Sequence, residues 1–166
     1  MRFRIPFLHN IRRGLATNSS SSHSLVYYTG PAEQHTRTSN EDGHDGHYGQ
    51  NDFILVTLRD KLLYALTNFA SSRYSWNTNL STGQRLAELK ENYGHLFPEL
   101  TTFDYLEAVQ GGVDHQSLIK TDNEKFVEAV RNPNVAIFGG DDAYGHPDMP
   151  STASSNVENI DNFGGY

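Results

Sequence analysis

Thr17-Asn18-Ser19-Ser20-Ser21-Ser22-His23-Ser24 is the stretch of this chain whose residue types most invite chemistry. Consecutive hydroxyls and backbone N–H groups behind Arg12 and Arg13 carry the donors that hold a phosphate or carboxylate, with Ser19, Ser20 and Ser21 as the cradle. No glycine-rich Walker pattern and no P-loop lysine accompany them, and the same hydroxyls serve equally well to cap their own backbone. Ser22 beside His23 has the composition of a nucleophile with its base. Neighbours in an extended segment point to opposite faces, so the base for Ser22 has to come from elsewhere. Asp114-His115-Gln116-Ser117 offers one, with His115 meeting Ser22 or Ser24 where the two segments pair in space. A histidine held by structural hydrogen bonds accounts for the same residue types.

Two further clusters have metal-binding character. Asp42, His44, Asp45 and His47 combine carboxylate and imidazole, the two histidines three residues apart, in a glycine-rich loop where chance meets that spacing easily. Asp141, Asp142, His146 and Asp148 follow an apolar run, the place where functional loops of a sheet commonly begin. A solvated turn before Pro147 and Pro150 is the plain alternative.

Composition narrows the classes. The absence of cysteine removes disulfide frameworks, thiolate metal sites and cysteine nucleophiles. The longest apolar run, Phe53 to Leu58, is broken by Thr57 and stopped by Arg59 and Asp60, far short of the roughly 18 residues of a membrane span, which predicts a soluble protein with no membrane partner. The net charge of −7 is unevenly laid out. Arg2, Arg4, Arg12 and Arg13 precede the first acidic residue, Glu33, and leave nine basic against 20 acidic residues, −11, for the remainder. Such a body repels phosphates and gives no nucleic-acid signal, although the arm alone suits them. After Arg131 there is no lysine or arginine, so the chain runs from a positive arm to a negative tail. The arginine- and serine-rich start also has the composition of an organellar transit peptide, with Phe3, Phe7, Leu8, Ile11 and Leu15 loosely on one helical face interrupted by Pro6.

The elements that must position these groups read as one small α+β domain of about three helices and four or five short strands with extended arms at both ends: a basic arm over 1–14, a core over 15–148 and a Ser/Asn-rich arm over 149–166. Phe3, Ile5 and Phe7 alternate with Arg2 and Arg4 as in a half-buried strand. Leu25 to Tyr28 predicts a strand, residues 29–51 a flexible polar loop, and Phe53 to Val56 a second strand. Leu58, Leu62, Leu66 and Phe69 predict a helix over 58–71 capped by Thr57 with Asp60. Ser81 with Gln84 opens a second helix along Leu86, Leu89, Tyr93 and Phe97, stopped by Gly94 and Pro98. Phe103 to Val109 fits helix or strand, and Gly111-Gly112 favours a hairpin there. Thr121 with Glu124 opens a helix that Asn132-Pro133 ends, and Val135 to Phe138 predicts a buried strand.

From Thr17 to Ser24 the chain resembles a group of uncharacterised bacterial and phage proteins that open with basic residues and a Thr-Asn-Ser-Ser-Ser-Ser/Thr-His-Ser string. Lys61-Leu62-Leu63-Tyr64, Asp114-His115-Gln116-Ser117 and Gly139-Gly140-Asp141-Asp142 are similar to later segments of that group, four short islands in order. The resemblance implies a bacterial or phage origin, in a virion or the bacterial cytoplasm, without a particular activity. The glycine- and histidine-rich stretch 40–50 departs from it.

Two functional readings stay open. In the first, the chain is a non-catalytic component or accessory protein of a larger assembly, a phage particle in particular, whose oppositely charged arms and nine tyrosines contact other copies or other subunits without a cofactor. In the second, it is a small hydrolase or phosphate-binding enzyme, with Ser22, His23, Asp114 and His115 in the catalytic role and a divalent metal on Asp141, Asp142 and His146.

Overall fold

Thr57 starts the helix around which the other elements gather. In the computed structural model, described for residues 21–41, 46–49, 51–74, 79–113, 123–141 and 155–159, the chain forms strands β1 (Ser21–Tyr28), β2 (Ser39–Asn40), β3 (His47–Tyr48) and β4 (Phe53–Leu55). Helices α1 (Leu58–Arg73), α2 (Thr82–Tyr93) and α3 (Thr102–Gln110) follow, then β5 (Gly112–Val113), α4 (Asn123–Arg131), β6 (Val135–Asp141) and β7 (Ser155–Asn159). The mixed α+β class expected from the pattern is what forms, with four α-helices and seven strands among the described residues, three of the strands only two residues long.

The Thr57 side chain accepts the Asp60 N–H at 3.2 Å and its hydroxyl donates to the Asp60 carboxylate at 2.6 Å, satisfying the open first turn of α1. The helix runs two residues past its expected end, to Arg73, where Tyr74 N–H closes the last turn on Ala70. Its burial departs from the expected single stripe: all ten residues from Lys61 to Ala70 are buried, while Leu58, first of the apolar series, is exposed. A helix enclosed on every side belongs in a core, and α1 lies between the sheet and the other helices.

Five strands form one antiparallel sheet in the order β2-β4-β6-β1-β7. Leu25, Phe53, Leu55, Val135 and Ile137 face α1, and Val26, Tyr28, Ile54, Ala136 and Phe138 form a second apolar cluster with Ala32 and Val56. Apolar residues on both faces explain why Leu25 to Tyr28 and Val135 to Phe138 read as continuous runs without polar alternation. The segment expected to be a C-terminal arm contributes the edge strand β7 against β1.

Two expectations need correction. Phe103 to Val109 is helical: Thr101 and Asp104 form a reciprocal capping box at one end, and Gly111 N–H bonds Glu107 at 2.7 Å at the other. Gly111-Gly112 makes no hairpin, because Gly111 has φ of −81° rather than the positive φ a tight hairpin needs. Gly112-Val113 pairs in parallel with His47-Tyr48 instead. A Cβ on Gly111 would fall 1.8 Å from the Gly46 carbonyl oxygen, so glycine is there for a close backbone approach. The second correction concerns 29–51, which is more than a loop. It supplies a 3-10 turn over Ala32–Gln34, β2 and β3, and it delivers Ala32 and Tyr48 to the core. The boxes at Ser81–Gln84 and the helix ending before Asn132-Pro133 form as expected, whereas Thr121 lies outside the described residues.

Asn132-Pro133-Asn134 joins the layers. Lys61, buried in α1, donates from Nζ to the carbonyls of Asn132 at 2.8 Å and Val135 at 2.7 Å. Ala32 N–H donates to Pro133 and Tyr28 N–H to Asn134, both at 2.8 Å. Burial pushes the Lys61 ammonium down to about 8, the Glu33 carboxylate offsetting part of that shift. Lys61→Met orphans these buried acceptors, which usually costs about 1–3 kcal/mol, a loss seen in full at alkaline pH, where the amine is neutral in both states, and smaller at neutral pH, where the buried ammonium carries a desolvation penalty. An unfolded chain titrates lysine near ~10.4. Between about 8 and that value the unfolded state binds more protons, so the stability of wild type relative to Lys61→Met should rise with pH across the window. Urea denaturation of the pair checks both points; a difference that stays flat with pH would mean the ammonium is not desolvated.

Candidate functional site

The antiparallel register sets Ser21 opposite Asp141, Ser22 opposite Gly140 and His23 opposite Gly139, so the end of the serine string, Ser21 to Ser24, and Gly139 to Asp141 meet on neighbouring strands. The island Lys61 to Tyr64 joins them through Tyr64. His23, 1% exposed, shares a hydrogen bond of 2.7 Å between its Nδ1 and the Tyr64 hydroxyl, and its ring stands edge-on to Phe53 at 5.0 Å and Tyr64 at 5.7 Å. A Cβ on Gly139 would lie 2.3 Å from Phe53 Cζ and 2.6 Å from His23 Cδ2, so the two rings close over a bare backbone. On Gly140 a Cβ would fall 2.0 Å from the Asp52 carboxylate. Packing thus explains both glycines, and His23 sits in the core.

The other candidates distribute as follows. Of Ser21, Ser22 and Asp141 the backbone alone is described, and Ser24 is buried in β1. His47 is exposed on β3, and its carbonyl accepts from the Asn40 side chain at 3.0 Å. Arg12, Arg13, Ser19, Ser20, Asp42, His44, Asp45, Asp114, His115, Gln116, Ser117, Asp142, His146 and Asp148 lie outside the described residues.

A second locus was not singled out by residue chemistry. Leu58, Arg59 and Leu62 from the start of α1 face Glu99, Leu100, Thr101, Phe103 and Asp104 from the approach to α3 across an open cleft of about 340 Å³. Phe103 at 63% and Leu58 at 43% are the exposed large apolar side chains among the described residues, and both line it. An ion-pair network braces the cleft. Arg59 reaches Asp104 at 2.8 Å and Glu107 at 2.9 Å, linking α1 to α3. Burial alone would raise the Asp104 carboxyl, but hydrogen bonds from the Thr101 hydroxyl and N–H together with the Arg59 guanidinium outweigh it and hold the group below the usual range. On the other lip Arg131 donates to both Glu99 carboxylate oxygens and to the Leu96 carbonyl. The Arg131 hydrogen bond is the main reason the Glu99 carboxyl also lies low.

The sequence contains a signal for this cleft in the Thr101-x-x-Asp104 box, which fixes the start of α3 and places Phe103 in its first turn. What the cleft can do chemically is to take up apolar side chains against a rigid, charged rim. The β1–β6 junction, for its part, makes a stability prediction. His23→Ala should cost about 2–4 kcal/mol, as for emptying a large buried side chain, and Gly139→Ala should also destabilise because the new methyl meets two rings. Denaturant midpoints of the two variants test this, and an unchanged midpoint for His23→Ala would remove the histidine from its structural role.

No protein-family model, no curated protein and no solved structure matches this chain.

Proposed function

We propose that the chain is a non-catalytic component or accessory protein of a larger assembly, and that the cleft between α1 and α3 is one of its protein contact surfaces. The observation that carries this reading is the placement of Phe103 and Leu58 in one braced cleft, where an exposed aromatic and an exposed leucine adjoin the apolar Leu62 and Leu100. Leaving large apolar side chains in water forgoes roughly 25 cal/mol for every Å² that a partner would cover. Apolar anchors surrounded by charged groups are the usual make-up of a binding hot spot. The resemblance to bacterial and phage proteins supports a particle or its accessory factors as the setting. No helix among the described residues is long and apolar enough to cross a membrane.

The test is association of the full chain in solution. Sedimentation velocity over a concentration range should show species larger than one chain, and Phe103→Asp should weaken them at least about tenfold, the effect of losing ~1.4 kcal/mol or more at an anchor. Phe103 is exposed, so its substitution leaves the fold intact, which circular dichroism verifies. A wild-type chain that sediments as a single copy at every concentration, indistinguishable from Phe103→Asp, would remove the self-association form of this reading.

A second reading is favoured by one observation, the register that puts Ser21 and Ser22 beside Gly140 and Asp141. In it, the serine backbone with Arg12 and Arg13 holds a phosphate group, His115 serves as base and a divalent metal rests on Asp141, Asp142 and His146. Inorganic phosphate or manganese should then raise the melting temperature, with Arg12→Ala and Arg13→Ala together abolishing the phosphate effect and Asp141→Asn the manganese effect. A melting temperature indifferent to both ions would sink it.

A further inference from the structure

We infer that the occupant of the cleft is the basic arm of a second copy of this chain, with residues 2–8 as the inserted segment; the inference rests on the cleft being a protein contact surface. Two observations lead to it. The first is chemical complementarity. Phe3, Ile5 and Phe7 alternate with Arg2 and Arg4, so in an extended conformation one face of the segment is apolar and the other cationic. The cleft offers the counterpart, with Leu58, Leu62, Leu100 and Phe103 as apolar surface.

The second is charge. Asp60, Glu99, Asp104 and Glu107 stand in or beside the cleft against Arg59 and Arg131, and an acidic excess remains when Lys90, bonded to Thr102, is counted. The arm is free of acidic residues, and the chain beyond it carries −11. Arginine at an acidic rim adds charge-assisted hydrogen bonds and speeds encounter.

Arm-to-cleft contact between copies is head to tail, and such contacts close into rings or extend as filaments.

Because each copy carries one arm and one cleft, variants that disable one or the other complement each other, and this separates the arm inference from the wider reading. Phe103→Asp leaves a good arm; Phe3→Asp with Phe7→Asp, or independently Arg2→Glu with Arg4→Glu, leaves a good cleft. By sedimentation velocity on full chains, each variant alone should fall to a single copy at concentrations where wild type associates. An equimolar mixture of cleft and arm variants should give a one-to-one dimer and nothing larger, since one intact junction remains, and salt should weaken it. If the arm variants associate like wild type while Phe103→Asp does not, the cleft remains a contact surface and its assignment to the arm is overturned. A mixture that stays monomeric overturns it too, and a wild type that never associates overturns the assignment together with the self-association form of the wider reading.

Discussion

The structure depends on the complete enclosure of one helix. From Lys61 to Ala70 no residue of α1 keeps a solvent-facing side, so each polar group in that span has to be satisfied inside the protein or pay a desolvation penalty of several kcal/mol. Lys61 reaches the carbonyls of the turn between α4 and β6, Thr67 bonds back to Leu63 at 2.8 Å, and Tyr64 bonds His23 of β1. These bonds do more than satisfy the helix. They tie it to the segments that enter and leave the sheet, so the register of β1 on β6 and the position of α1 over them are set by the same contacts.

That constraint changes the meaning of residues that look chemical in isolation. A serine-histidine pair suggests a nucleophile, but strand alternation gives His23 to the core, where a ring of intermediate polarity fits between Phe53 and Tyr64. The paired glycines before Asp141 suggest a ligand loop, and they are needed first by the His23 and Phe53 rings on one side and by the Asp52 carboxylate on the other. Among the described residues, parts of three of the four sequence islands, Ser21 to Ser24, Lys61 to Tyr64 and Gly139 to Asp141, therefore meet through packing and register.

Local signals in the sequence were sound where the physics is local. The caps at Thr57 and Ser81, the helices they open and the apolar runs of β1, β4 and β6 follow from hydrogen bonds and periodicity within a few residues. Non-local demands were not legible. Lys61, Thr67 and Asn68 read as the polar side of an amphipathic helix, and only the closing of sheet and helices around them makes them interior. Gly111 and Gly112 favour a hairpin until Gly46, far away in sequence, proves to be what the first of them accommodates and the partner of the second at 2.7 Å. Tyr48 had no apolar neighbours to mark it, yet it packs on Phe53 and Tyr64 at 5.4 and 5.2 Å. The cleft was hidden for the converse reason, because Leu58 fits the core stripe and Phe103 an ambiguous run, and exposure is a property of the assembled fold.

The same first turns of α1 that carry the core clamp also carry one wall of the cleft. Thr57 caps, Leu58, Arg59 and Leu62 face the cleft, and Lys61 turns inward to the Asn132 and Val135 carbonyls. The opposite wall is held by the Thr101–Asp104 box, whose carboxylate is in turn held by Arg59. Exposed ion pairs contribute little to stability on their own, but Asp104 is buried, hydrogen-bonded to Thr101 and paired with a guanidinium that also reaches Glu107, so the network fixes geometry more than it adds energy. A contact surface built this way has few side chains left to order when a partner arrives, and the entropy that association usually loses in ordering an interface is smaller. Leu58 and Phe103, the exposed apolar side chains of the cleft, are thus carried on a frame held by the Thr57 and Thr101 caps and by the Arg59 ion pairs.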